Sequence, residues 1–303
     1  MADRIGLDLG GTKIEGVVLD EAGVVKMRER VATRAERGYE SIIETTAALA
    51  ERLLAAASGG CGATVGADVG IGVGAPGAIS SRTGLLKNSN TQCLNGRDLR
   101  GDLARRLGRS LALDNDANCF ALAEARLGAA RGHRVVFGVI LGTGVGGGIV
   151  LDGAVHRGPQ RIAGEWGHHS IDPAGPQCYC GGRGCVETYL SGPALEREFR
   201  QRLGRPASAE AIAAAAAAGE DAAGAIFADY LDCFGRALAN LIDILDPDMV
   251  VLGGGLSNVD MLYSLGVERV AHHVFNDQLV TPILRNQLGD SAGVIGAALL
   301  AGT

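Results

Sequence analysis

Residues 135–152, VVFGVILGTGVGGGIVLD, decide the fold. They read as an apolar strand over 135–141, a glycine-rich tip over 142–148 and a return strand through Ile149-Val150-Leu151-Asp152. The chain opens on the same plan: residues 4–20, RIGLDLGGTKIEGVVLD, give a strand over 4–9, a tip at Gly10-Gly11-Thr12-Lys13 and a second strand over 16–19, with Val17-Val18-Leu19-Asp20 matching the later return strand. Such a duplication predicts two α/β domains, each starting with a β-hairpin, whose tips can face each other across a cleft.

Working outward, a third strand is expected over 24–31 and an amphipathic helix over 39–57, with Ile42, Ile43, Leu49, Leu53 and Leu54 on one face. A strand over 65–73 should end in Gly74-Ala75-Pro76-Gly77. Beyond the second hairpin, the alanine-rich 211–218 reads as helix, and a long helix over 222–245 is stopped by Asp246-Pro247. A buried strand over 249–252, a turn at Gly253-Gly254-Gly255 and a small apolar helix over 291–301 follow, the last expected to pack across both domains. The domains are drawn at 1–116, completed by 291–303, and at 117–290.

With 303 residues, 47% apolar and 20% charged, the chain can bury two cores. A net charge of −6 and no basic run argue against nucleic acid or an anionic bilayer as partner. No stretch has the apolar length of a membrane span, so a cytoplasmic protein acting on small molecules is expected. Seven cysteines, three of them close together, suit a metal site better than a disulfide framework.

The first tip looks like a phosphate cradle, because glycines let backbone N–H groups approach phosphate oxygens while Thr12 and Lys13 add a hydroxyl and a cation. Asp8 at the strand end could hold hydrated Mg²⁺. Alone, the same residues would also suit a plain glycine hairpin with a surface lysine. The second tip contains G-x-G-x-x-G in form, yet a Rossmann fingerprint opens a helix and here a strand follows. None of the three lysines, Lys13, Lys26 and Lys87, has the setting of a P-loop. Any nucleotide is therefore expected between hairpins.

His168, Cys178, Cys180 and Cys185 have the spacing of a structural Cys₃His zinc site, with glycines at 181, 182 and 184 for the tight turns chelation needs. Glu165 and Glu187 bracket that loop, so a metal that fixes the loop would fix both carboxylates. Paired carboxylates also occur in glycosidases, but those have no use for phosphate-cradling tips. Asp114-Asn115-Asp116-Ala117-Asn118 resembles the start of a calcium loop, which Cys119 and Ala125 at the sixth and twelfth places exclude. The segment instead sits at a strand-to-helix junction, where a carboxylate is either a helix cap or a base.

In combination these motifs resemble the ROK family (repressors, open reading frames, kinases) over nearly the whole chain. They are Asp8-Leu9-Gly10-Gly11-Thr12-Lys13, Gly74-Ala75-Pro76-Gly77, Leu113 to Asn118, Gly142-Thr143-Gly144, Glu165-Trp166-Gly167-His168 and Cys178-x-Cys180-Gly181-x-x-Gly184-Cys185-x-Glu187. The resemblance implies a two-domain actin-like, ribonuclease H-like ATPase fold with ATP and a hexose in the cleft. It makes Asp116 the catalytic base, places Gly74, Ala75, Pro76, Gly77, Asn115, Glu165, His168 and Glu187 about the sugar, and surrounds ATP with Asp8, Gly10, Gly11, Thr12, Lys13, Thr143, Gly144, Gly254 and Gly255. His168 could touch sugar with one ring nitrogen and zinc with the other.

Within the family, Lys87-Asn88-Ser89-Asn90-Thr91 and Leu94-Asn95-Gly96 look like the fructokinase and mannokinase branch. The expected reaction is phosphorylation of the 6-hydroxyl of fructose, with Asn90 as a sugar contact, mannose or glucose as further substrates, and glucokinase or N-acetylhexosamine kinase as alternatives. A non-catalytic sugar sensor or a DNA-binding regulator is the alternative of another class, set aside because both tips are intact and the first strand starts near residue 4. A homodimer is implied by analogy. Leu288 departs from the family, many members having histidine there.

Overall fold

The computed structural model describes residues 3–57 and 69–302. Its first sheet has the order β3-β2-β1-β4-β7, from β1 (Arg4–Leu9), β2 (Lys13–Leu19), β3 (Val25–Ala32), β4 (Gly70–Ala75) and β7 (Ala112–Asn115). Between β4 and β7 lies a ribbon of two short strands, β5 (Ala78–Ile79) and β6 (Leu86–Lys87). The second sheet has the order β10-β9-β8-β11-β12, from β8 (Val135–Leu141), β9 (Val145–Leu151), β10 (Ala154–Val155), β11 (Met249–Gly253) and β12 (Ile283–Arg285). In each sheet the first three strands in sequence pair antiparallel and the next two add in parallel on the other side. The duplication read from the two tips is thus a duplication of whole sheets.

Helix α1 (Tyr39–Ala57) buries Ile42, Ile43, Leu49, Leu53 and Leu54 against the first sheet, as its periodicity predicts. Helix α2 (Leu99–Leu107) packs beside it. On the second sheet, α4 (Glu187–Leu190), α5 (Gly192–Leu203), α6 (Ala209–Ala217) and α8 (Leu265–His273) gather around the long α7 (Asp221–Leu245). Their shared core includes Phe137, Phe199, Phe227, Phe234 and Leu238.

A third core joins the halves. Helices α3 (Asp116–Leu127) and α9 (Ala292–Leu300) pack on each other, α3 lying on β8 and β9 and α9 on β1 and β4. The final helix therefore lies on the first sheet and meets the second through α3. Its close approach depends on Gly72: a Cβ there would fall on the carbonyl of Ala297. Glycine in β4 thus marks a backbone contact and not a strand end, which corrects the boundary expected at residue 73: the strand continues through Gly74 and Ala75. The expected start of that strand at 65 lies outside the described residues. The second tip is also shorter than its glycines suggest, because β9 begins at Val145.

Candidate functional site

The strand-to-helix junction at 115–116 forms the floor of a cleft of about 270 Å³. Asn115 caps α3, its Oδ1 accepting from the backbone N–H of Ala117 at 2.8 Å and of Asn118 at 3.4 Å. Its Nδ2 donates to the carbonyl of Gly77 at 2.9 Å, so this side chain joins the Pro76-Gly77 turn to the helix start. With the cap supplied by Asn115, Asp116 occupies the first helical position, where one oxygen accepts from Ala117 at 2.8 Å and the carboxylate faces the cleft. Burial raises its pKa from 3.8 to about 6; the Ala117 N–H opposes the shift and the Glu165 charge adds to it.

Around that floor the cleft brings together Pro76, Gly77, Asn90, Asn115, Asp116, Thr143, Gly144, Glu165, His168 and Glu187, all expected from the sequence. It also brings in Asn88 and Tyr179, which sequence reasoning missed. Asn88 adopts the left-handed region at φ 60, just after β6, which aims the turn into the cleft. Gly74 and Ala75 do not line the cleft; they lie in β4 behind it. The first tip, Gly10 to Lys13, and the turn at Gly254 and Gly255 also stand outside the cavity.

These outlying groups nonetheless lie close by. Gly254, at φ 83, rests against the backbone of Leu141 beside the second tip, where a Cβ would clash. Asp8 lies near enough to Asp116 to feel its charge: burial first, then Asp116 and Glu15, lift its pKa to about 7, with Lys13 opposing. Glu165 is raised by burial and by Glu187, while His168 and Lys87 pull it down. Asp116, Glu165 and Glu187 thus line the cleft as carboxyls suited to accepting hydroxyl hydrogens, with Asp8 buried close by as a further carboxyl that could hold a divalent cation.

Glu187 differs in one respect from the expectation of a sugar contact alone. One oxygen accepts from the backbone N–H of Val145 at 2.9 Å, so it also braces the second tip. It sits at the first position of α4, immediately after a cluster formed by His168, Cys178, Cys180 and Cys185, whose ligand atoms all lie within 4.8 Å of one another. His168 Nδ1 lies 3.6 Å from the Cys178 sulfur, and Cys180 lies 3.6 Å from Cys185. A tetrahedral ion with bonds of about 2.3 Å has ligand edges of roughly 3.8 Å, so the donor set fits a thiolate-rich tetrahedral metal.

Among the described residues no single helix is long and apolar enough to cross a membrane.

The ROK family profile matches residues 4–303. The chain is 38% identical over 305 residues to N-acetyl-D-glucosamine kinase of Photobacterium profundum, covering 97% of this chain and 98% of that protein. It is 37% identical over 303 residues to the N-acetylgalactosamine kinase AgaK of a Shewanella species, covering 97% and 95%. The solved ROK family glucokinase of Streptomyces griseus, in complex with glucose and AMPPNP, superposes with a TM-score of 0.81 at 31% identity over 99% of each chain. The length matched by the family profile, the identity to its members and the superposition of the fold agree on one conclusion: this chain belongs to the ROK family.

Proposed function

We propose that this protein is an ATP-dependent kinase of N-acetylated hexosamines, transferring the terminal phosphoryl group to the 6-hydroxyl with Asp116 as the base. The observation that carries the reading is the position of Asp116: a carboxylate at the cleft floor with raised proton affinity, between the sugar-type groups Glu165, His168 and Glu187 and the tip Gly142-Thr143-Gly144. Fructose, favoured by the 87–96 stretch, has no support among the curated relatives reported above, whose names specify N-acetylglucosamine and N-acetylgalactosamine. The N-acetylhexosamine alternative therefore replaces it.

Phosphoryl transfer is mostly positioning and charge neutralisation, with little covalent chemistry left to the protein. Glu165, Glu187 and Asn90 would hold sugar hydroxyls and aim the 6-oxygen, while Asp116 takes its proton as the bond to phosphorus forms. Backbone N–H groups of the two tips, with Thr12, Lys13 and Thr143, would cradle ATP, and Gly254 and Gly255 would flank it. Asp8 would hold Mg²⁺, which neutralises phosphate charge. His168, Cys178, Cys180 and Cys185 would hold a structural zinc that keeps the 168–187 loop rigid. In the same reading, closure of the 1–116 and 291–303 body on the 117–290 body brings the first tip to the cleft.

The test is ADP release with a hexose panel. N-acetylglucosamine or N-acetylgalactosamine should give the highest kcat/KM, at least ~10-fold above fructose, since a site built to hydrogen-bond an acetamido group discriminates against sugars lacking it. Fructose as the preferred substrate would overturn the reading.

A further inference from the structure

Asp114 directly precedes the junction that carries Asp116, and it is only 8% exposed near the end of β7. Its Oδ1 accepts from the backbone N–H of Asn115 and from Asn118 Nδ2, both at 2.8 Å. Those two residues flank Asp116: Asn115 caps α3 and holds the Gly77 turn, while Asn118 stands in the first turn of the helix. The other oxygen, Oδ2, accepts from Arg157 Nε at 2.5 Å. Arg157 belongs to the other sheet's side of the molecule, in the loop that follows β10.

A buried carboxylate that loses its charged partner is left uncompensated, so Asp114 depends on Arg157 to keep its place. Both residues wall a narrow chamber behind the cleft, and Gly77, Asn115 and Glu165 line chamber and cleft alike. Since the pair stands outside the cleft, its effect on the reaction runs through the junction. Displacing a reacting group by about 1 Å can cost on the order of 10²-fold in rate. Resting on the reading of Asp116 as the base, we infer that Arg157 is a positioning residue: through Asp114 it ties the second sheet to both flanks of Asp116 and sets the direction in which that carboxylate meets the sugar hydroxyl.

The test compares wild-type protein with Arg157→Met, which keeps the apolar stem and removes the donor, and with Arg157→Lys, whose ammonium reaches the same oxygen. Arg157→Met is also made in an Asp116→Asn background. For the preferred sugar, kcat, KM and the calorimetric Kd are measured, with denaturant melts to confirm the fold. Arg157→Met should lower kcat by roughly 10-fold with KM and Kd changed less than about 3-fold, and Arg157→Lys should bring kcat back to within about 3-fold of wild type. Added to Asp116→Asn, Arg157→Met should cost less than about 2-fold more, where an independent role would cost its full factor again. Unchanged kcat in Arg157→Met, a loss confined to KM and Kd, no recovery in Arg157→Lys, or full additivity with Asp116→Asn would each overturn the inference. Wild-type turnover in Asp116→Asn alone would instead overturn the reading of the base on which it rests.

Discussion

Glu187 accepts the backbone N–H of Val145 at 2.9 Å, joining the helix that follows the His168, Cys178, Cys180 and Cys185 cluster to the tip that opens the second hairpin. One carboxylate thus touches both halves of the expected chemistry. Glu187→Gln should raise KM for sugar and for ATP together, each by about 5-fold or more, because the amide keeps a weaker acceptor toward Val145 and loses the charge toward the sugar. Steady-state kinetics with each substrate varied checks this; an unchanged KM for ATP would make Glu187 a sugar ligand only.

Burial gives the cleft carboxyls a pH signature. Asp116 and Asp8 rise from 3.8 to about 6 and about 7. A carboxyl that holds its proton more tightly folded than unfolded stabilises the fold in acid, and that contribution is lost as pH climbs through the folded pKa, here between about 4 and 7. Asp116→Asn should therefore be more stable than wild type at pH 8, by roughly 3 kcal/mol, with the difference vanishing near pH 4. Denaturant melts at the two pH values test it. In the same window kcat/KM of the wild type should rise with unit slope and level off above about pH 6.

The metal loop is expected to be a condition for the cleft. Chelation, or Cys180→Ser, should release about one equivalent of zinc and abolish sugar binding, because His168, Tyr179 and Glu187 are all set by that loop. Nucleotide affinity should change less, since the first tip stands on a different sheet. Elemental analysis and calorimetry read both effects; active enzyme without metal would retire the role.

Much of this was legible in the sequence because the signals were local. Apolar strands flanking glycine tips gave the duplication, and the Cys-x-Cys spacing pointed to the cluster of His168 with three cysteines. What escaped depends on contacts distant in sequence. Glycines in β4 read as a strand end, yet Gly72 is there so that α9, more than two hundred residues away, can lie on the sheet. Tyr179 was an unspecified residue in a motif; only its contact with His168 brings it to the cleft. Asn88 gained its place from a left-handed turn that no periodicity reports.

Glu124 shows the same dependence on distant contacts. Fully buried on α3, it accepts the N–H groups of Ala129, Gln287 and Leu288. The junction at Gln287-Leu288 is thus held through its backbone N–H groups. Glu124→Ala removes the buried acceptor of three backbone N–H groups and should lower stability by about 3 kcal/mol, roughly one for each lost hydrogen bond, with Glu124→Gln intermediate. Equilibrium unfolding decides, and a melt unchanged from wild type would remove the brace.

The most direct test of the whole account is Asp116→Asn assayed two ways on one preparation. Phosphorylation of the preferred N-acetylhexosamine should fall at least ~10²-fold while the calorimetric Kd for that sugar stays within about 3-fold of wild type, as expected when a base is lost and the cleft is not. Turnover at the wild-type rate would contradict it.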